Sequence, residues 1–204
     1  MKASPPAQIV IYGAGGHGQV VAEAAELLGW AVAGFVDDER SPGESVGRYA
    51  VLDPSQPFAR AAVAIGDNAA RGRIIEQLAG RGVGLPAIVH PAAWISPSAE
   101  VGDGVFIGPS VSVHAHAAIA LGAIINTASV IEHHNVIHRY AHVAPGCVLG
   151  GGVTVGQRTL VGLGSRVLPG VAIGDDAVIG AGGVVVEPVA AGTTVGGIPA
   201  RPIA

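Results

Sequence analysis

The sequence holds a single cysteine among its 204 residues, so no intrachain disulfide can stabilise the chain. Cys147 also lies on a register of small residues, which indicates a packed thiol and not a nucleophile. Aromatic residues make up only 4% of the chain and charged residues 13%. Because the net charge is −4 and the Lys and Arg residues are scattered, there is no basic patch, and we expect no nucleic-acid partner.

Long apolar runs are also missing, although half of the residues are hydrophobic and the mean hydropathy is +0.51. Gly or charged residues interrupt every apolar run before it reaches about 18 residues, the length of a membrane span. The segment from Met1 to Tyr12 has no basic region followed by a long apolar stretch, so it does not read as a secretory signal. We therefore expect a cytoplasmic protein without membrane insertion.

The chain instead contains a repeat with a period of six residues. Every sixth residue from Val89 to Val185 is Val, Ile or Leu, without exception. This period fits neither the 3.6 residues of a helix nor the two-residue alternation of a flat sheet, so it indicates a coil with short, equivalent faces. The residue four places after each aliphatic position is usually small, for example Ala117, Ser129 and Ala141, which suits a tight corner.

This repeat resembles the hexapeptide repeat of acyltransferases that fold as a left-handed parallel β-helix. In that fold three hexads form one triangular coil, and the coils stack as parallel strands. The resemblance implies between about five and six coils in a prism roughly 27 Å tall.

The composition changes near residue 88, and the segment before it alternates strands with helices. The elements expected there are a strand over 9–12, a glycine turn over 13–18, a helix to Leu28, a strand over Ala31–Val36, a strand over Ala62–Ile65 and a helix over 69–79. This order predicts a small Rossmann-like α/β domain with ligands at the carboxyl ends of its strands. The expected domains are therefore a βαβαβ unit over 1–88, the β-helix over 89–190 and a tail over 191–204.

The glycine turn formally matches the GxGxxG dinucleotide pattern, and Asp37 follows Gly18 by nineteen residues. The segment is too short for a second mononucleotide half, which disfavours a full NAD site. Glycines at a helix N-terminus let backbone N–H groups approach a phosphate, and Asp37 or Asp38 can accept hydrogen bonds from a ribose or base. A nucleotide-linked ligand fits best, while the alternative is that the glycines only form a tight turn.

Six of the eight histidines lie between His114 and His142. On a β-helix they fall on different faces and coils, so they do not converge on one ion, and we expect no metal.

The segments 126–134 and 140–146 bring a more specific resemblance, to the sugar acyltransferases typified by the bacillosamine-pathway and perosamine N-acetyltransferases and by sialic-acid O-acetyltransferases. The likeness extends along nearly the whole chain. It includes the glycine-His loop at 13–18, Phe-Val-Asp-Asp at 35–38, Ala-Ile-Gly-Asp-Asn at 64–68, Ile-Ser-Pro-Ser-Ala at 95–99 and Gly-Ile-Pro-Ala at 197–200.

The resemblance implies a homotrimer with acetyl-CoA in the groove between adjacent β-helices and a nucleotide-linked amino sugar on the N-terminal domain. His133 matches the family's general base, and His142 matches the histidine at the thioester. Gly151 would offer its N–H to the thioester carbonyl. The remaining acetyl-CoA residues would be Asn126, Leu163, Gly180 and Ala181. The residues implied for the nucleotide sugar are Gly15, Gly16, His17, Asp37, Asp38, Gly66 and Asn68.

The sequence departs from the family beside the proposed base, because His134 stands where relatives often carry Glu or Asp. A carboxylate there would raise the basicity of the imidazole. Three alternatives stay open: Glu132 orients His133, a main-chain carbonyl does so, or the amine arrives neutral and His133 only positions it. The segment 137–139 (Ile-His-Arg) also departs from the usual Gly followed by an acid, and His133 could be a solvated turn residue.

The resulting hypothesis is an acetyl-CoA-dependent N-acetyltransferase in glycan biosynthesis. Its substrate would be the 4-amino group of a nucleotide-linked 4-amino-4,6-dideoxyhexose, of the GDP-perosamine or UDP-bacillosamine-precursor type, with a preference for the former. The amine would attack the thioester directly with the help of His133. The alternatives are a sugar O-acetyltransferase of the sialic-acid type and a non-catalytic hexapeptide-repeat trimer.

Overall fold

The N-terminal unit of the computed structural model, which describes residues 7–203, is a three-stranded parallel sheet with two helices. The strand order is β2-β1-β5. The elements are β1 (Gln8–Tyr12), α1 (Gly16–Leu27), β2 (Ala31–Val36), β3 (Ser45–Val46), β4 (Tyr49–Ala50), β5 (Ala61–Val63) and α2 (Asn68–Gly80). The short β3–β4 hairpin was not expected, because strands of two residues are too short to produce a pattern.

Close packing at the start of α1 explains one of the glycines in the loop. A Cβ on Gly18 would collide with the carbonyl oxygen of Gly13, which itself has a φ of +108°. Helix α1 can therefore sit directly on the loop that follows β1. At the next loop, the Asp67 side chain accepts the backbone N–H of Ala70 at 2.7 Å and caps α2.

The β-helix that follows has three faces, each a sheet of short parallel strands, except that the last strand of face 3 pairs antiparallel with its neighbour. Face 1 contains β7 (Trp94–Ile95), β10 (Ser112–Val113), β13 (Val130–Ile131), β16 (Val148–Leu149), β19 (Arg166–Val167) and β22 (Val184–Val185). Face 2 contains β8 (Glu100–Val101), β11 (Ala118–Ile119), β14 (Val136–Ile137), β17 (Thr154–Val155) and β20 (Ala172–Ile173). Face 3 contains β6 (Ile88–Val89), β9 (Phe106–Ile107), β12 (Ile124–Ile125), β15 (His142–Val143), β18 (Leu160–Val161), β21 (Val178–Ile179), β23 (Thr194–Gly196) and β24 (Arg201–Pro202).

The six-residue repeat determines both the core and the corners of this prism. The aliphatic positions point inward and are buried, as Ile131, Val143 and Val161 show. Paired residues on one face are eighteen positions apart, as in Ser112 with Val130, so three hexads make one coil. The predicted left-handed parallel β-helix is thereby confirmed.

The fourth residue of a hexad often adopts a left-handed backbone conformation at the corner, with a φ of 57° at Ala128, 58° at His134 and 55° at Asp176. The small residue that follows the corner is buried. Cys147 occupies one of these positions, and its thiol donates to the carbonyl of Gly162 at 3.1 Å. Burial raises its pKa, which confirms a packed thiol.

The N-terminal unit packs on face 3 of the β-helix. Phe106 and Ile124 on that face belong to the same apolar cluster as Ile9 and Phe35 of the small domain. Helix α1 contacts β6 of face 3, and α2 packs against Tyr140 at the corner between face 2 and face 3. This packing brings the loop of Gly66, after β5, beside His142 on β15.

Candidate active site

The loops after β1 and β2 meet at the carboxyl edge of the small sheet, as the sequence predicted. Asp37 accepts hydrogen bonds from the backbone N–H of Ala14 at 2.7 Å and of Glu39 at 2.9 Å. Asp38 accepts the hydroxyl of Tyr12 at 2.7 Å. Burial and the Asp38 carboxylate raise the pKa of Tyr12 to about 12, so the phenol remains a donor at neutral pH.

The backbone of the glycine loop faces open space at the start of α1. A Cβ at Gly15 or at Gly16 would meet no atom within 4 Å. The N-terminus of a helix attracts anions through its free N–H groups and its dipole, so this edge can hold a phosphate.

Asn68 has a structural role that the sequence did not reveal. Its Oδ1 accepts a guanidinium N–H of Arg71 at 2.7 Å, and its Nδ2 donates to the carbonyl of Arg158 on the β-helix at 2.8 Å. Both ends of the amide therefore have protein partners that join the two units.

Arg71 is the residue at this interface that sequence reasoning missed. It is fully buried, and it donates to the carbonyls of Gly122 at 2.8 Å, Ile65 at 2.9 Å and Tyr140 at 2.5 Å. Burial lowers the pKa of its guanidinium to about 10, so it stays charged at neutral pH. Nothing in the pattern of α2 distinguishes it from an exposed helical arginine, because its acceptors come from distant coils.

His142 lies on β15 and points from face 3 toward the small domain. Burial first, and then the charge of Arg71 and the nearby His17, lower its pKa to about 4. Its Nε2 lies 3.3 Å from Nδ2 of Asn126. Since an amide nitrogen can only donate, Nε2 accepts, and the imidazole is neutral with its proton on Nδ1.

His17 lies on α1 and faces the same interface. Burial and Arg71 lower its pKa to about 4, so it is also neutral at pH 7. Its ring stands edge-on to Phe106 at 5.1 Å between centroids. Within the described part of the chain its buried Nε2 has no hydrogen-bond partner. The structure thus brings His17, predicted for the sugar, and His142, predicted for the thioester, into one interdomain region.

His133 lies elsewhere, at the corner that joins face 1 to face 2. Its exposed imidazole covers the backbone of Gly151 one coil further on, and a Cβ on Gly151 would collide with the ring. Across residues 7–203, the N–H of Gly151 donates to no protein group, although Gly150 and Gly152 on either side both donate. Gly151 therefore offers a free backbone donor directly beside the imidazole.

The remaining groove residues lie at the corner between face 3 and face 1. Asn126 and Gly180 each follow a face-3 strand, and Leu163 and Ala181 lie beyond it at the turn. Leu163 is 58% exposed. In the described chain no contact joins this group, or His142, to His133.

Known proteins match this chain over almost its whole length. The family model described as the PglD N-terminal domain matches residues 8–78. A variant of perosamine N-acetyltransferase from Caulobacter crescentus, solved with CoA and GDP-perosamine, is 37% identical, with 97% of each chain covered and a TM-score of 0.93. The acetyltransferase domain of PglB from Neisseria gonorrhoeae, solved with acetyl coenzyme A, is 35% identical, with 97% of this chain and 100% of that chain covered and a TM-score of 0.88.

The chain belongs to the hexapeptide-repeat sugar N-acetyltransferases. This confirms the family predicted from the histidine segment and the glycine loop. The roles expected for His133, Gly151 and His142 stay predictions.

Two further observations describe this sugar N-acetyltransferase. Between residues 7 and 203, no helix has the length and apolarity needed to cross a bilayer. In the same range, no three His, Cys, Asp or Glu side chains are grouped as a metal site would require.

Proposed function

We propose that this N-acetyltransferase moves the acetyl group of acetyl-CoA to the 4-amino group of a nucleotide-linked 4-amino-4,6-dideoxyhexose, with GDP-perosamine as its first candidate substrate. The observation that carries the proposal is the match, over 97% of the chain, to an enzyme solved with CoA and GDP-perosamine. The chain's own residues also fit CoA and GDP-perosamine.

The small domain would hold the nucleotide sugar. The open backbone at Gly15 and Gly16 suits a diphosphate at the start of α1. Asp37 and Asp38, at the end of β2, are placed to accept hydrogen bonds from a ribose or a base. His17, beside the loop of Gly66, then faces the sugar. Asn68 contributes by fixing this loop against the β-helix, and not through a free side chain.

The acyl donor would lie along the corner between face 3 and face 1, beside Asn126, His142, Leu163, Gly180 and Ala181. Because His133 and Gly151 lie at the other edge of face 1, one chain does not bring the two groups together. In a homotrimer with face 1 toward its axis, the acyl-donor corner of one subunit, between its faces 3 and 1, would lie beside the His133 corner of the next subunit.

The side chains of face 1 support that assembly. Four of its six outward strand positions are apolar: Val130, Val148 and Val184 are partly exposed and Trp94 is 53% exposed, while the other two are Ser112 and Arg166. Outward apolar side chains on one face are typical of a surface that packs against another subunit.

The mechanism follows from the chemistry of these groups. Acetyl-CoA supplies a thioester whose carbonyl carbon is the electrophile. Nε2 of His133 accepts the proton of the sugar amine, since only the neutral amine is a nucleophile. The free N–H of Gly151 stabilises the negative charge that develops on the carbonyl oxygen. A positioned base contributes about 10²- to 10⁴-fold, and an oxyanion donor about 10²- to 10³-fold.

The test is an acetyl-transfer assay that follows CoA release and identifies the product by mass spectrometry. The acceptors are GDP-perosamine, a UDP-linked 4-amino sugar and sialic acid, and the matched variants are His133→Asn and the exposed His138→Asn. We expect acetylation of an amino sugar by the wild type and His138→Asn, and a large loss for His133→Asn. Acetylation of the sialic-acid hydroxyl would instead support the O-acetyltransferase, and a protein that neither reacts with nor is thermally stabilised by any of these ligands would support the scaffold.

A further inference from the structure

The imidazole of His133 has a partner that the sequence alone left undecided. Its Nδ1 lies 3.0 Å from Nδ1 of His134, which is hydrogen-bond distance. The two rings are nearly perpendicular, at 83° with centroids 5.2 Å apart. Glu132 is directed elsewhere, with its Oε1 4.0 Å from Nε2 of His114. In residues 7–203, neither Glu132 nor a main-chain carbonyl accepts a hydrogen bond from the His133 ring.

We propose that His134 is the positioning residue of the base, because its Nδ1 accepts the Nδ1–H of His133 and leaves Nε2 of His133 free to take the proton of the attacking amine. The inference rests on the proposed acetyl transfer. At this position the neutral imidazole of His134 would take the place of the carboxylate that relatives often carry.

The backbone at this corner makes the pairing possible. His134 is the fourth residue of its hexad and has a left-handed φ of 58°, which turns its side chain back beside that of His133. One coil earlier, His116 has the same conformation, and its ring lies 5.1 Å from that of His134. One coil later, Gly151 supports the ring of His133 from below. The imidazole of His133 is therefore held between a flat glycine backbone and the edge of a second imidazole.

Only one arrangement of the shared proton is productive. With the proton on Nδ1 of His133, Nε2 of that ring carries a lone pair and can act as a base. With the proton on Nδ1 of His134, His133 must accept through Nδ1 and carry its own proton on Nε2, which blocks it. A carboxylate would allow only the first arrangement. His134 must therefore be neutral and protonated on Nε2 for the base to work.

The proton balance of the reaction is then complete. As the amine nitrogen bonds to the thioester carbon, its proton moves to Nε2 of His133, and the resulting imidazolium keeps its Nδ1–H on Nδ1 of His134. When the carbon–sulfur bond breaks, the proton on Nε2 passes to the leaving thiolate. His134 takes no proton from the substrate at any stage, so it acts only through His133.

The charged and titratable groups around the pair are few. His116 faces His134 from the preceding coil, and the Glu132 carboxylate lies 4.0 Å from the His114 ring. Protonation of any of the three histidines on the corner places a positive charge beside the base.

Three substitutions at the corner separate the roles of acceptor and charge. The β-helix already accommodates Ala and Asp with a left-handed backbone at this corner position, since Ala128 and Asp176 occupy it with a φ of 57° and 55°. Asn also tolerates this backbone conformation. His134→Ala removes the acceptor, His134→Asn keeps a neutral one at the same distance from the backbone, and His134→Asp supplies a negative one.

We expect His134→Ala to lower kcat about tenfold while KM for both substrates changes less than about twofold, the size of one lost hydrogen bond. His134→Asn should recover most of this loss. His134→Asp should move the acid limb of kcat/KM upward by about one pH unit, because a carboxylate favours the imidazolium. His138→Asn is the control. The proposal is wrong if the kcat of His134→Ala equals that of His138→Asn at every pH, or if the kcat of His134→Asn is no higher than that of His134→Ala.

A second readout does not depend on turnover. With ¹⁵N-labelled histidine, NMR identifies which nitrogen of His133 carries the proton. We expect the Nδ1–H form in the wild type and in His134→Asn, and a shift toward the Nε2–H form in His134→Ala. An Nε2–H tautomer of His133 in the wild type would overturn the inference even if the enzyme is active. Failure of the proposed function would be seen separately, as full activity of the His133→Asn variant or as a wild type that acetylates no amino sugar.

Discussion

Replacing Arg71 by methionine should remove at least about 3 kcal/mol from the free energy of unfolding. Its guanidinium makes four hydrogen bonds of 2.9 Å or less, to Gly122, Ile65, Tyr140 and Asn68. Hydrogen bonds from a charged donor contribute about 1.5–3 kcal/mol each. The buried charge costs about 3 kcal/mol, since its pKa falls from 12.5 to about 10. The hydrogen bonds therefore outweigh the desolvation, and truncation loses the difference.

Urea unfolding followed by circular dichroism measures this loss. Arg73 lies on the same helix and is exposed, so Arg73→Met should change the free energy of unfolding by less than about 0.5 kcal/mol. If Arg71→Met costs less than about 1 kcal/mol, or no more than Arg73→Met, the argument that Arg71 joins the two units is refuted.

The same substitution has an electrostatic consequence with a definite sign. Burial is the main cause of the low pKa values of His17 and His142, and the charge of Arg71 lowers both values further. Without that charge, both pKa values should rise above about 4 but stay below the ordinary value of 6.5, because the rings remain buried; an NMR titration detects the change. Values that stay the same or fall would contradict the placement of the two histidines beside the guanidinium.

Three other predictions concern the glycine at the base, the buried histidines and the thiol. Gly151→Ala should lower kcat about 10²-fold with little change in Tm, because its methyl group displaces the ring of His133; unchanged kinetics would contradict that contact. The low pKa values of His17 and His142, about 4, mean that the unfolded chain binds more protons between about pH 4 and 6.5. Stability should therefore fall by up to about 3 kcal/mol per histidine as the pH drops through this window, and urea unfolding at pH 7 and pH 4.5 would contradict this if the two free energies were equal. Cys147 should react with iodoacetamide only after unfolding, and rapid labelling of the native protein would show that the thiol is not buried.

The repeat made most of the fold predictable. A strict aliphatic position every sixth residue predicts the buried column to which Ile131 and Val143 belong, because one inward side chain per strand is the only way a triangular coil can fill its interior. The acids and glycines after the strands likewise predicted the edge at which Asp37 accepts the N–H of Ala14. Such patterns can be read from the sequence because each depends on residues that are close together along the chain.

Arg71 and Asn68 could not be assigned in this way. The partners of Arg71 on the β-helix are Gly122 and Tyr140, which lie 51 and 69 residues away in sequence. No local sequence pattern therefore predicts that Arg71 is buried. Asn68 was expected to hold the nucleotide sugar, while its amide is engaged by the protein at both ends. Its role toward a ligand stays a prediction.

The relation between His133 and His142 could not be predicted from the repeat. The repeat places His133 at a corner and His142 on face 3, but whether they meet depends on which face of one prism packs on the next. The partner of His133 was also missed, because the sequence suggested Glu132 or a main-chain carbonyl and gave no reason to expect His134 as an acceptor. The left-handed backbone at the fourth position of the hexad decides in favour of His134.

The most direct test of the central claim, that His133 is the base of an amine acetylation, is the pH dependence of kcat/KM for wild type and His133→Asn with GDP-perosamine. We predict that the variant loses about 10²- to 10⁴-fold near pH 7 and recovers as the pH rises and the amine loses its proton unaided. A variant as active as the wild type at pH 7, or equally inactive at every pH, would contradict the account.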